Sequence, residues 1–407
     1  MTYGFGARVG PPAALAMTVH PTRPRRPQRL EVFAVEDTTA QIAWSRLGPG
    51  RVEFEIDGRR HAVETNGGPG AVILDDLKPG TDYEVVLHGA GARRGWPRLS
   101  LRTLADAPGR ELFRFATISD LHLGATRFGL FGLVREDPGA ATPHPVMCAR
   151  AAINEALEWG AELLIVKGDV TTESFPEHWE TAGELLGGLP VPVEVLPGNH
   201  DRGRKRTVEP QPALARHGLR LVHGLQVLDL PGARLVLLDS TVPNWGYGRY
   251  NHLADDVVRV ASRTDKPVFL ATHHYPQPLP VPHFWPPGVP SLAANRFIRR
   301  LAEANPASFM TAGHTHRNRL RHKLGIPISE VGSPKDYPGV WGGYVLYEDA
   351  VRQVVRRVAA PEAIAWTEYT KRAVAGAWGL WAPGHLGHRC FVHAWPARGR
   401  RAVRGVL

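Results

Sequence analysis

Between residues 113 and 316, five short apolar runs each break off into a cluster of Asp, His or Asn. Phe113-Arg-Phe-Ala-Thr-Ile-Ser119 leads into Asp120-Leu-His122, and Leu163–Val166 leads into Lys167-Gly-Asp169. Val191–Leu196 leads into Pro197-Gly-Asn-His-Asp201, and Val268–Ala271 into Thr272-His-His274. Ser308-Phe-Met310 is followed by Ala312-Gly-His-Thr-His316. Runs this short and apolar, alternating with stretches of helical spacing, predict the strands of an α/β sheet. In such a sheet ligands gather beyond the carboxyl ends of the strands. The five strands therefore deliver Asp120, His122, Asp169, Asn199, the His273/His274 pair, His314 and His316 to one rim.

Oxygen and imidazole donors without thiolate suit Mn, Fe, Zn, Co or Ni rather than a structural zinc. The two cysteines, Cys148 and Cys390, exclude a disulfide framework and a Cys-based zinc cluster. In extended chain, residues i and i+2 project to one side, so Asp120 and His122 can share an ion. Seven donors exceed what one ion takes and fit two ions bridged by a carboxylate. The glycines before Asp169, Asn199 and His314 let the backbone approach such a centre closely.

Apolar runs at helical spacing predict helices over 147–159, 179–186, 253–260 and 292–304. Further strands are expected at 235–239, 328–331, 344–347 and 353–358. This α/β domain spans 112–360, with two stacked sheets. Upstream, 28–104 reads as about seven short alternating strands without a helical stretch, an all-β sandwich. Residues 105–110 are a linker, and the Pro/Arg-rich 1–27 a solvated arm. Residues 361–407 form an extension holding Trp366, Trp378, Trp381 and Trp395, with a basic tail.

The net charge is +10, but only seven of the 49 basic residues are Lys and they are dispersed. A nucleic-acid partner is not expected on that ground. No run of 18 apolar residues predicts a membrane span. Ala13–Val19 is short for a signal segment and lacks a basic flank, so a cytoplasmic location is expected.

The segment from Leu74 to Val85, with a Leu before the Lys78-Pro-Gly turn and Tyr83 after it, resembles the fibronectin type III signature. Trp44 stands where that family carries its core Trp. The set Asp120-x-His122, Gly168-Asp169, Gly198-Asn-His-Asp201, His273/His274 and Gly313-His-Thr-His316 resembles the calcineurin-like metallophosphoesterase superfamily. That resemblance implies an α/β (α+β) double-sheet sandwich, here behind a small immunoglobulin-like one, with two divalent ions (Mn, Fe or Zn). By motif, one ion takes Asp120, His122, Asp169 and His316. The other shares Asp169 and takes Asn199, His314 and a His of the pair. The family's His-x-Pro block favours His274, since Tyr275-Pro276 follows, with His273 the alternative. His200 is implied as the unliganded imidazole near the leaving group, with Asp201 its partner.

A fibronectin-like domain ahead of this fold also resembles purple acid phosphatases. Their Gly-Asp-x-x-Tyr block here ends in Thr172, and their Asp-x-Gly block is Asp-x-His, so ferric-tyrosinate chemistry is not expected. The Asp-x-His type is closer to bacterial phosphodiesterases, including those acting on cyclic nucleotides. The expected activity is a metal-dependent phosphoric ester hydrolase acting on a small mono- or diester. A nuclease and a non-catalytic binding scaffold are the alternatives. Arg127, Arg202, Arg204 and Tyr275 are weaker candidates for phosphate contact, and Trp245–Arg249 and Phe284-Trp285 for an aromatic pocket. For all of these, surface or loop packing is the simpler reading.

Overall fold

The computed structural model of the chain describes residues 30–89, 98–129, 132–202, 211–279 and 286–396. The arm at 1–27, Arg204, Phe284, Trp285 and the basic tail from 397 lie outside the described residues.

Short alternating strands build the N-terminal unit. Leu30–Val35, Ala40–Trp44 and Gly70–Leu74 form one antiparallel sheet. Arg59–Thr65, Gly50–Ile56, Asp82–Gly89 and Leu99–Arg102 form the other, in that order. In Gly50–Ile56, Val52, Phe54 and Ile56 are buried while the residues between them are more exposed, as the two-residue period of a half-covered strand requires. Trp44 stacks on Phe54 at 5.5 Å in the core. Tyr83 anchors the turn by accepting a 2.7 Å bond from the Lys78 amide.

Two six-stranded sheets follow. The first runs Val193–Leu196, Leu164–Lys167, Glu111–Ile118, Val340–Tyr347, Ala350–Arg357, Phe391–Ala394. Its first three strands are parallel. The second runs Leu225–Leu230, Ala233–Leu238, Val268–Thr272, Ser308–Ala312, Ile326–Glu330, Arg319–Lys323. Four of its strands, from Ala233–Leu238 to Ile326–Glu330, are parallel.

Burial on both faces explains why these strands read as continuous apolar runs. Leu235, Leu237, Phe269, Ala271 and Phe309 face a core shared with Phe115, Ile165 and Tyr344 of the first sheet. Val236, Leu238, Leu270 and Met310 face the opposite way, onto helices Ala254–Ser262 and Ser291–Ala304. Leu164 and Val166 similarly pack against helices His144–Glu158 and Pro176–Leu186. Within each sheet Phe115 stacks on Tyr344 at 5.1 Å and Phe269 on Phe309 at 4.8 Å, and across the sheets Phe115 meets Phe269 edge-on at 4.9 Å. Each fully buried ring of this kind stabilises the fold by roughly 1.5–3 kcal/mol.

The C-terminal extension is woven into both units. Phe391–Ala394 extends the first sheet by pairing with Ala350–Arg357, and helix Pro361–Thr370 packs beside the N-terminal sandwich. Gln41 exchanges two 2.8 Å bonds with the Arg357 backbone. Arg389 Nε donates to the Phe33 carbonyl at 2.8 Å, and Arg356 pairs with Glu36. The long stretch after His122 contains a small hairpin, Arg127–Phe128 with Val134–Arg135. No helix of the described residues is long and apolar enough to cross a membrane.

Candidate metal centre

The five polar blocks meet where the carboxyl ends of the two sheets' parallel strands converge. Backbone bonds fasten one block to the next. The amides of Asp120 and His122 donate to the carbonyls of Gly168 and Asp169, each at 2.9 Å. Gly313 N–H donates to the His273 carbonyl at 3.1 Å. Across the sheets, the His314 amide donates to the Asp120 carboxylate at 3.0 Å.

The convergence is tight enough to strain the backbone. Asp120, His122, Asp169, His314 and His316 all have positive φ, from 48° to 69°. Non-glycine residues adopt this region at a cost of order 1–3 kcal/mol and cluster there at functional sites. A Cβ on Gly313 would stand 2.6 Å from Ser119 Oγ and 2.7 Å from Asp120 Oδ2. One on Gly198 would overlap the Asp169 amide and carboxylate.

Asp169 sits between two sets of donors. Its Oδ2 is 3.6 Å from His122 Nε2 and 3.4 Å from His273 Nε2. On one side, His122 Nε2 faces His316 Nε2 at 3.3 Å, and His316 Nε2 lies 3.5 Å from Asp120 Oδ1. On the other, His273 Nε2 faces His314 Nδ1 at 3.1 Å and Asn199 Oδ1 at 3.2 Å.

The far side of each ring decides which nitrogen is a donor. His273 Nδ1 faces the Lys167 carbonyl at 2.8 Å and His314 Nε2 the Pro287 carbonyl at 3.1 Å. His316 Nδ1 faces Asp336 Oδ2 at 2.6 Å. These acceptors take the N–H, so the inward nitrogens present lone pairs, the arrangement usual for metal-ligating imidazoles. His273 and His314 thus turn lone pairs towards each other, and the oxygen and imidazole donors on both sides of Asp169 are of the kind that holds a divalent ion.

Burial and neighbouring charge pull these groups in opposite directions. Burial opposes charge on His273, but Asp169 outweighs it and pushes the ring up to about 9. Burial, then the neighbouring His273 charge, pushes His314 down to about 3. Burial, with Lys335 and His200, holds His122 well below the usual range. His316 is raised despite its burial, because Asp336 and Asp120 face it. Burial would raise Asp169, yet His273 and His200 hold it well below the usual carboxylate range.

His274, the favoured ligand of its pair by sequence, is turned differently from His273. Its Nδ1 is 2.9 Å from Ser240 Oγ, and its carbonyl accepts from Tyr250 Oη at 2.7 Å. Of the two, His273 presents a nitrogen to Asp169 and Asn199, although a ring nitrogen of His274 lies near those of His273 and His314.

His200 is exposed, its ring edge-on to His122 at 4.6 Å. The expected pairing with Asp201 is replaced: His200 Nδ1 faces the Thr172 carbonyl at 2.8 Å. Asp201 is instead a buried clamp. It accepts from the amides of Gly198, Val170 and Thr171 and from Thr171 Oγ1, at 2.8–3.0 Å. Burial and the Asp169 charge raise its carboxyl to about 6. Among the weaker candidates, Tyr275 is buried and Arg202 pairs with Asp239 at 3.0 Å. Arg127 is exposed, and Trp245 packs near Tyr247 at 5.3 Å.

Sequence reasoning missed Lys335 and Asp336. They follow strand Ile326–Glu330 by the same rule, an apolar strand ending in polar residues, but without a second His or Asn to mark them. It also missed Lys167 beneath the rim, bound to Thr311 Oγ1 and the Ala312 carbonyl at 3.0 Å. Burial lowers this amine to about 7 against the pull of Asp120.

The chain is 27% identical over 169 residues to a glycerophosphodiester phosphodiesterase of Enterobacter lignolyticus, covering 40% of this chain and 57% of the relative. It is 26% identical over 186 residues to a protein of Psychrobacter arcticus named as a probable cyclic nucleotide phosphodiesterase, covering 44% and 66%. A purple acid phosphatase from yellow lupin (Lupinus luteus) seeds superposes with a TM-score of 0.43 at 11% identity, over 80% of this chain and 71% of that one. The chain therefore spans only part of the length of these curated relatives. The family model for calcineurin-like phosphoesterases matches residues 113–318, half of the chain, and the protein belongs to that family.

Proposed function

We propose that this chain is a dinuclear-metal phosphoesterase acting on small phosphodiesters. The observation that carries the reading is Asp169 Oδ2, set between two imidazole pairs in which the outer nitrogens of His273, His314 and His316 are tied to oxygen acceptors. Asp120, His122, Asp169 and His316 would hold one ion. Asp169, Asn199, His273 and His314 would hold the second. When bound, such a pair activates water near neutral pH and neutralises charge on a phosphoryl group.

The protein's own groups do the rest. The acceptors at Lys167, Pro287 and Asp336 fix the ring orientations and keep the inward nitrogens unprotonated once ions are present. The Asp201 clamp fixes the loops bearing Asp169 and Asn199. His200 donates Nδ1–H to Thr172, and in its imidazolium form its Nε2–H would pass a proton to the leaving oxygen, leaving the neutral imidazole. Diester substrates are supported by the names of the two bacterial relatives.

The test is to strip the protein with a chelator, restore Mn, Zn or Fe, and assay bis(4-nitrophenyl) phosphate, cyclic nucleotides and glycerophosphodiesters. Activity should vanish and return with metal. Undiminished hydrolysis by the metal-free protein refutes the reading.

A further inference from the structure

The Trp-rich C-terminal extension reaches the metal centre. Helix Ala377–Trp381 sets Trp378 edge-on to Phe128 of the small hairpin, ring centroids 5.5 Å apart. Both rings lie 6.4 Å from the His316 ring, and both are half-buried. The indole N–H is already taken by the Tyr337 carbonyl at 3.1 Å. The half-buried pair therefore offers a ligand ring surface rather than the indole N–H. Lys335 Nζ stands 4.8 Å over the Phe128 ring and pairs with Asp336, itself bonded to His316. A cation and two aromatic rings are thus assembled directly beside one ligand pair.

We infer that Trp378 and Phe128 form a specificity-determining subsite for a flat aromatic group carried by the phosphoester, a nucleobase in the first instance. The inference rests on the two-ion reading, since the ions would anchor the phosphate. The two rings offer the hydroxyls of a glyceryl group no hydrogen-bonding partner, and Lys335 is buried and paired with Asp336, whereas a base can stack on the rings. Base stacking on an aromatic side chain raises affinity by about tenfold or more.

The full chain, loaded with Mn, is titrated calorimetrically with adenosine 5′-monophosphate and with glycerol 3-phosphate. Metal content and melting temperature are measured on each sample. The wild type should bind the nucleotide about tenfold more tightly. Trp378→Ala should erase that preference with metal content unchanged, and Trp378→Phe should retain most of it. If Trp378→Ala does not fold, Phe128→Leu should reduce the same preference. Equal binding of the two probes by metal-loaded wild type, or a preference that survives in both variants, overturns the subsite alone. Failure of the wild type to take up metal overturns the two-ion reading beneath it.

Discussion

Replacing Glu368 by Gln probes what holds the C-terminal extension against the rest of the protein. Glu368 lies on helix Pro361–Thr370 and pairs with Arg357 at 2.7 Å and Lys371 at 2.8 Å. Ser45 of the N-terminal sandwich donates to the same carboxylate. Arg357 and Lys371 both lie over the ring of Tyr337, whose carbonyl holds the Trp378 indole. Burial alone would raise Glu368, but the Arg357 charge, then the bonds from Lys371, Ser45 and Arg357, bring it down to about 2 from an ordinary 4.5. At about 1.4 kcal/mol per pH unit, that gap stabilises the native state by about 3 kcal/mol at pH 7. The folded value lies below the unfolded one. The contribution is therefore complete above pH 4.5 and is lost as pH falls towards 2. Gln imitates the protonated acid, so the difference between wild type and Glu368→Gln should follow the same curve. It should be about 3 kcal/mol at pH 7 and shrink to about 1.4 kcal/mol at pH 3. If the chain unfolds as one unit, 3 kcal/mol lowers the melting temperature by about 3–4 °C. Calorimetry of both proteins from pH 7 to pH 3 measures this. Coincident melting at pH 7, or a difference that does not narrow on acidification, refutes the assignment.

Asp169→Asn should reduce metal content on both sides of the centre, because its Oδ2 lies between both donor sets; plasma emission still finding two ions per chain would remove Asp169 as the bridge. His273→Ala should cost at least one ion per chain, while His274→Ala, at a ring braced by Ser240, should retain both; the reverse order in metal analysis would restore His274 as the ligand. His200→Ala should keep both ions and lower turnover, most strongly for esters with high-pKa leaving groups. A loss independent of the leaving group would mark His200 as a positioning residue.

The fold and the candidate centre were legible in the residues for one reason. A strand buried on both faces must be apolar throughout, so the point where Asp, His or Asn takes over marks its end. Asp120, Asp169, Asn199, His314 and His316 could be read this way, as could the N-terminal sandwich from its alternation. The strands at 225–230, 319–323 and 391–394 escaped. The first two lie at the edges of the second sheet, only partly buried and more mixed in composition, and the third is an edge strand inside a Trp-rich segment. The different settings of His273 and His274 depend on a carbonyl behind one ring and Ser240 beside the other. The partner of His200 depended on the Thr172 carbonyl, a group every residue carries and no motif records. Asp336 and Trp378 reach His316 from 20 and 62 residues further along the chain. The sequence by itself determined which side chains could bind metal, because strand ends are set by local composition. The tertiary structure decided which nitrogen faces which neighbour and which distant segment walls the site, because those depend on long-range packing and on backbone acceptors.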